Sequence, residues 1–131
     1  MIMVDKKTIF ILEDEESFLI VFNRWLHEEG YNVIITRNIA EAKETLEKNE
    51  PPSLFWIDYY LGENSDTGMV FFRWLKNNPS FKDIPAILVT ITIDTSKLEE
   101  FERQGIAKTF PKVFSDRDTI LAGIKKILGD D

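Results

Sequence analysis

Four short hydrophobic segments of the sequence are each followed by a residue that can handle a phosphoryl group or a metal ion. Glu13 and Asp14 follow the first segment, Asp58 the second, Thr90 the third and Lys112 the fourth. Carboxylates bind hard divalent cations, while a hydroxyl and an ammonium can neutralise the oxygens of a phosphoryl group during its transfer. The residue types therefore suggest chemistry on a phosphoryl group.

The elements that precede these residues are predicted to be strands of one parallel sheet. Short apolar runs that alternate with helical patterns are typical of buried parallel strands, and the ligand site of such a sheet lies outside the carboxyl ends of its strands. The five residues should therefore meet at one edge. The predicted strands are Thr8 to Leu12, Tyr31 to Thr36, Leu54 to Ile57, Ala86 to Val89 and Ala107 to Pro111.

Apolar residues at helical spacing predict a helix after each strand. Asn38 is suited to cap the second helix, and either Ser115 or Asp116 is suited to cap the fifth. The predicted helices are Glu16 to Glu28, Ile39 to Lys48, Gly68 to Lys76, Ser96 to Gln104 and one bearing Ile120, Leu121, Ile124, Ile127 and Leu128. Five βα units with right-handed crossovers predict a three-layer α/β sandwich. We expect a single domain over residues 1–131, with no output domain.

Composition excludes several classes of function. The chain has 131 residues, a net charge of −7 and scattered basic residues, which argues against binding nucleic acid. Cysteine is absent, so disulfides, thiol catalysis and zinc–thiolate sites are excluded. The first seven residues do not form a signal peptide, and no apolar run reaches the length of a membrane span. We expect a cytoplasmic protein without a membrane partner.

The three acids predict a cation site. Like charges at close range are costly unless a cation lies among them, so Glu13, Asp14 and Asp58 favour a bound Mg²⁺. An ionised aspartate can also act as a nucleophile toward a phosphoryl donor. The metal, Thr90 and Lys112 would then neutralise the three oxygens of the transferring group.

The ordered set of Glu13-Asp14, Asp58, Thr90 and Lys112 resembles the site of two-component response-regulator receiver domains. The likeness covers essentially the whole chain and is greatest to stand-alone, chemotaxis-type (CheY-like) receivers. It implies a flavodoxin-like, doubly wound sheet of five parallel strands in the order 2-1-3-4-5. It also implies signalling rather than enzymatic turnover, with only self-catalysed phosphorylation of Asp58 and slow autodephosphorylation.

The resemblance also implies partners and metal ligands. A histidine kinase or phosphotransfer protein would donate the phosphoryl group to Asp58, with Thr90 and Lys112 assisting. Asp14 and Asp58 would ligate Mg²⁺ directly, Glu13 through water, and Tyr60 through its backbone carbonyl. A downstream protein target would bind the face made by helix 4, strand 5 and helix 5.

Several positions depart from the family pattern. The family usually has Asp in place of Glu13, Ala or Gly in place of Ile91, an aromatic residue in place of Thr109 and Pro in place of Val113. The loop from Leu61 to Gly68 is also longer than is usual in the family. The departures at Ile91, Thr109 and Val113 point to an alternative, a degenerate receiver that binds a partner without being phosphorylated, but the intact acids argue against it. A phosphatase of the haloacid-dehalogenase type fits less well, because it needs Asp-x-Asp and the chain has Asp14-Glu15-Glu16.

Overall fold

Five β-strands alternate with five α-helices in the computed structural model, which describes residues 6–62, 65–91 and 94–130. The strands are β1 (Thr8–Leu12), β2 (Asn32–Thr36), β3 (Leu54–Ile57), β4 (Ala86–Thr90) and β5 (Lys108–Pro111). The helices are α1 (Glu16–Glu28), α2 (Ile39–Lys48), α3 (Gly68–Lys76), α4 (Thr95–Arg103) and α5 (Arg117–Leu128). The predicted α/β class and element order are confirmed.

The strands form one parallel sheet in the order β2-β1-β3-β4-β5, as the resemblance implied. Its register decides which residues become neighbours past the strand ends. Leu12 of β1 pairs with Ile57 of β3, so that Glu13 and Asp58 leave the sheet side by side. Thr90 of β4 pairs with Pro111 of β5, and Lys112 follows one residue later.

The sheet is covered on both faces, which explains why its strands are almost continuously apolar. One face packs against α2, α3 and α4, and the other packs against α1 and α5. Alternate residues of a strand serve opposite faces, so Phe55 belongs to the first layer and Trp56 to the second. The main helical contributors are Ala42, Leu46, Phe71, Leu75 and Phe101 on the first side and Leu19, Phe22, Leu26, Ile120 and Ile124 on the second.

Side-chain caps set several helix starts. Asn38 accepts a hydrogen bond from the backbone N–H of Glu41, as predicted, and Asp116, not Ser115, caps α5 through the N–H of Thr119. Asp94 accepts from the N–H groups of Ser96 and Lys97. The Asp94 cap was missed in the sequence, and it makes α4 begin at Thr95, one residue earlier than predicted; the helix also ends one residue earlier, at Arg103.

The predicted β2 and β5 each began one residue too early. The N–H of Tyr31 donates to the carbonyl of Leu26 and so belongs to the turn that closes α1. No helix of the described ranges is both long and apolar enough to cross a membrane. Two segments named in the sequence analysis lie outside the described residues. They are residues 1–5 at the start of the chain and Glu63 and Asn64 of the long loop.

Candidate functional site

Three carboxylates meet at the carboxyl edge of the sheet. One oxygen from each of Glu13, Asp14 and Asp58 can be chosen so that all lie within 4.8 Å of one another. Glu13 is completely buried, Asp58 is 4% exposed and Asp14 is exposed. The cluster thus has a buried floor and one solvent-facing acid, which would let an ion enter from the surface.

Backbone hydrogen bonds between neighbouring strands hold this edge together. The N–H of Asp58 donates to the carbonyl of Leu12 at 2.9 Å, and the N–H of Glu13 donates to the carbonyl of Thr36 at 3.1 Å. The parallel ladder therefore continues one residue past β1 and β3. The acids are positioned by the sheet itself, which favours a rigid arrangement.

Gly68, the first residue of α3, packs directly beneath the phosphoacceptor candidate. A Cβ atom at this position would collide with the backbone carbonyl oxygen of Asp58 and lie 2.6 Å from Cγ2 of Ile57. The Gly68 N–H donates to the carbonyl of Tyr59 at 2.8 Å. Only glycine allows α3 to approach the end of β3 this closely, a role that the sequence alone did not reveal.

Lys112 reaches into the acidic cluster from the end of β5. Its Nζ lies 2.6 Å from Oε1 of Glu13 and 3.4 Å from Oδ1 of Asp58, and its side chain is 5% exposed. The Lys112 N–H also donates to the carbonyl of Thr90 at 2.7 Å, which ties the lysine to the end of β4. One ammonium thus serves two buried carboxylates.

Burial raises the pKa of Asp58 to about 9, and the neighbouring Glu13 carboxylate acts in the same direction. Lys112 opposes this rise, but it is closer to Glu13 than to Asp58, and the upward effects prevail. Placing a divalent cation beside the carboxylates would reverse the balance, because it favours the ionised form.

A cavity of about 480 Å³ opens over these residues. Asp58 and Lys112 lie in its wall, with Tyr60 and Ile91, which are 45% and 54% exposed, around its rim. Thr90 is completely buried at the end of β4, and the cavity wall beside it is formed by Ile91. The remaining lining residues are Asp14, Glu15, Glu16 and Gly62.

The donor set fits a hard divalent cation such as Mg²⁺. Among the residues that the structure describes, Oε2 of Glu13 is a buried carboxylate oxygen with no hydrogen-bond partner. An unsatisfied buried acceptor beside two further carboxylates is expected at a site that holds an ion. Asp14, Asp58 and the backbone carbonyl of Tyr60 are the other candidate ligands.

Two contacts near the site were not predicted. The Lys112 ammonium lies over the ring of Phe18, a residue in the first turn of α1. Thr109 replaces the aromatic residue usual in the family, and its hydroxyl donates to Oε2 of Glu102 at 2.6 Å. Each contact joins two different elements of the fold, so no pattern within a single helix or strand signals it. Phe110, the next residue of β5, faces the opposite side of the sheet and is buried beside α1 and α5.

Comparisons with known proteins agree with this geometry. The family model described as "Response regulator receiver domain" matches residues 9–125. The polar-differentiation response regulator DivK of Brucella anthropi is 32% identical, over 95% of this chain and 98% of its own length.

Solved structures show the same fold. The signal receiver domain of a signal transduction histidine kinase from Syntrophus aciditrophicus is 28% identical, with a TM-score of 0.80 over 94% of this chain and 90% of that one. The chemotaxis response regulator CheY4 of Vibrio cholerae is 18% identical, with a TM-score of 0.83 over 95% and 100%. The chain therefore belongs to the response-regulator receiver-domain family and is a module of phosphorelay signalling.

Proposed function

We propose that Asp58 is the residue that accepts the phosphoryl group. The observation that carries this assignment is the position of its buried carboxylate, which lies at the end of β3 with Lys112 at 3.4 Å and the Glu13 and Asp14 carboxylates beside it. Asp14 lies at the open side of the cluster, and Glu13 is paired with Lys112. Asp58 thus combines burial, an ammonium neighbour and access to the cavity.

The transfer is a substitution at phosphorus. A carboxylate oxygen of Asp58 forms a bond to phosphorus while the bond between phosphorus and the donor's histidine nitrogen breaks, and the electron pair stays on the imidazole. Lys112 donates a hydrogen bond to one phosphoryl oxygen, and Thr90 supplies a hydroxyl from the neighbouring strand end. These groups stabilise charge where it develops, which is the main requirement of phosphoryl transfer.

The site residues also suit Mg²⁺. Asp14, Asp58 and the carbonyl of Tyr60 would hold the ion directly, and Glu13 would do so through water. The bound ion would supply positive charge to the phosphoryl oxygens and to the ionised Asp58. Glu13 has a second role, because its other oxygen accepts a hydrogen bond from Lys112 at 2.6 Å and so orients the ammonium.

The partners follow from the family. A histidine kinase or phosphotransfer protein donates the phosphoryl group, and a downstream protein binds the face made by α4, β5 and α5. The protein acts as a signalling module, with slow loss of its own phosphoryl group as its only further reaction. A cytoplasmic location stays a prediction.

The alternative, a receiver that works without phosphorylation, is supported only by Ile91, Thr109 and Val113. None of these side chains disrupts the cluster, since Val113 is 70% exposed, Ile91 lies on the rim and Thr109 bonds to Glu102. The close approach of Glu13, Asp14, Asp58 and Lys112 favours a functional acceptor.

Mass spectrometry after incubation with acetyl phosphate and Mg²⁺ tests the assignment. The wild-type protein should gain the mass of one phosphoryl group, and Asp58→Asn should not. Asp83→Asn is a suitable control, because Asp83 is exposed and lies before β4, at the opposite edge of the sheet. An unchanged gain in Asp58→Asn would refute the assignment, whereas no gain in the wild-type protein would favour the degenerate receiver.

A further inference from the structure

The Lys112 ammonium has three neighbours, two carboxylates and the face of an aromatic ring. Nζ of Lys112 lies 4.1 Å from the ring centroid of Phe18, in addition to its contacts with Glu13 and Asp58. The other lysine–aromatic contacts found among the described residues are longer, at 5.0 to 5.2 Å. An ammonium over a ring face is attracted by the ring quadrupole, and the attraction strengthens when water is excluded.

The fold explains why Phe18 and Lys112 meet. Phe110 of β5 packs in the layer formed by α1 and α5, and Lys112, two residues later, projects to the same side. Phe18 lies in the first turn of α1, and its ring stacks on Phe22 at 5.6 Å. The Phe22 ring in turn packs against the buried Trp56, with 4.6 Å between the ring centroids. The Phe18 ring is therefore held from behind by the core.

Lys112 also lies at a boundary between two openings. It lines the cavity above Asp58 and, in addition, a mostly apolar groove of about 310 Å³ between α1 and α5. Phe18 is part of the groove wall, together with Val21, Trp25 and Ser115. A lysine side chain has several rotatable bonds, so its ammonium could turn into this groove if the ring did not attract and confine it.

We propose that Phe18 is a positioning residue whose ring face holds the Lys112 ammonium at the phosphoacceptor and thereby speeds phosphorylation of Asp58. The inference rests on the proposed function of Asp58. The ring does not contact the phosphoryl group itself. It keeps the ammonium in place before the donor arrives, so that less ordering is required during the transfer.

Fluorinated phenylalanines introduced at position 18 test the role of the ring face. One, two or three fluorines withdraw electron density step by step while leaving the ring nearly unchanged in size and apolar character. The rate of phosphorylation by acetyl phosphate and Mg²⁺ should fall with each fluorine, to roughly one third to one tenth of the wild-type rate for the trifluorinated ring. A residue needed only for packing would give no such gradation.

Position 72 offers a matched control. A lysine ammonium also lies over the ring of Phe72, with Nζ of Lys76 at 5.2 Å from the ring centroid. Phe72, however, belongs to the opposite layer of the core. The same fluorine series at Phe72 should leave the phosphorylation rate unchanged. Phe18→Tyr should retain most of the rate, whereas Phe18→Leu should lose as much as the trifluorinated ring, because leucine fills space without a π face.

NMR spectroscopy can detect the contact between the ring and the ammonium without any phosphorylation. The ring should shift the NMR signals of the Lys112 ε-methylene protons upfield in the unphosphorylated protein, and Phe18→Leu should abolish that shift. A flat fluorine series at position 18 in a protein that is phosphorylated on Asp58 would overturn this inference alone. Absence of phosphorylation in the wild-type protein would overturn the proposed function, and with it the catalytic consequence drawn for Phe18.

Discussion

At the scale of single residues, the burial of Asp58 makes the stability of the fold depend on pH. Its carboxyl is buried beside Glu13, so its ionised form is disfavoured and the pKa rises to about 9. A proton that is held more tightly by the folded than by the unfolded chain stabilises the fold at low pH. This contribution is complete below the ordinary pKa of 3.8 and is lost as the pH rises to about 9.

Asp58→Asn should therefore stabilise the protein in the absence of metal. At pH 8 the wild-type carboxyl is ionised in the unfolded chain and must take up a proton on folding, a cost that the neutral amide avoids, and the Glu13–Lys112 pair remains. We expect the free energy of unfolding to increase by about 1 to 3 kcal/mol at pH 8, and the gain over wild type to shrink as the pH approaches 4. Urea denaturation with a chelator at several pH values measures it. A gain that is constant with pH would contradict the assigned cause.

Ile91 should slow hydrolysis of the phosphorylated protein. Its β-branched side chain is 54% exposed and lines the cavity through which a water molecule must approach the phosphorus atom, and Tyr60 adds bulk to the same lining. We expect Ile91→Ala to lose its phosphoryl group roughly tenfold faster, which corresponds to about 1.4 kcal/mol of barrier. Decay of pre-phosphorylated protein is the measurement, and equal or slower decay would show that Ile91 does not control water access.

At the scale of elements, the Glu102 side chain joins α4 to β5 through hydrogen bonds. Oε2 of Glu102 accepts hydrogen bonds from both the N–H and the hydroxyl of Thr109, at 3.1 and 2.6 Å. A polar contact thus stands where the family usually has an aromatic residue. We expect this contact to restrain α4, so that the change at the α4–β5–α5 face on phosphorylation is small in the wild-type protein.

Glu102→Ala should loosen α4. Loss of hydrogen bonds at a partly buried position should raise amide hydrogen exchange in α4 roughly tenfold and enlarge the difference that a phosphoryl mimic produces there. Glu100→Ala is the control, because Glu100 lies on the same helix and pairs with Arg103 on the surface. Exchange differences confined to α1 and α2 would count against this surface as the site of the change.

Gly68→Ala should disturb the junction of β3 and α3. The new methyl group would collide with the carbonyl of Asp58, so either the helix or the strand end must shift. Such crowding should lower the free energy of unfolding by about 1 to 3 kcal/mol and also reduce phosphorylation. Gly123→Ala crowds Phe110 in the other layer and should destabilise the fold with a smaller loss of phosphorylation. Equal losses in both variants would remove the special role of Gly68.

At the scale of the whole molecule, metal binding should increase the stability of the folded protein against unfolding. An ion that binds only the folded chain raises the free energy of unfolding, by about 2.7 kcal/mol at a concentration one hundred times its dissociation constant. Mg²⁺ should raise the melting temperature of wild type but not of Asp14→Ala, with Asp83→Ala as an exposed control. The same rise in Asp14→Ala would show that the ion binds elsewhere.

Much of this architecture was predictable because each element has a local signal. Buried strands are apolar on both faces, helices show their spacing, and strand ends in a parallel sheet face the same way, which brought Glu13, Asp58 and Lys112 together. The missed features depend on contacts across the sheet. Nothing near Phe18 in the chain indicates a lysine over its ring, and Gly68 resembles an ordinary residue at the start of a helix.

The recessed position of Asp58 bears on how long a signal is remembered. The Asp58 side chain is 6% exposed, and Tyr60 and Ile91 line the cavity above it, where they would hinder the line along which water must attack the phosphorylated residue. If Ile91 slows hydrolysis as predicted, such a module would integrate brief pulses of donor activity into a persistent output, and the residue at position 91 would set its time constant. Small substitutions at the rim would then retune the duration of a cellular response without changing which proteins take part in it.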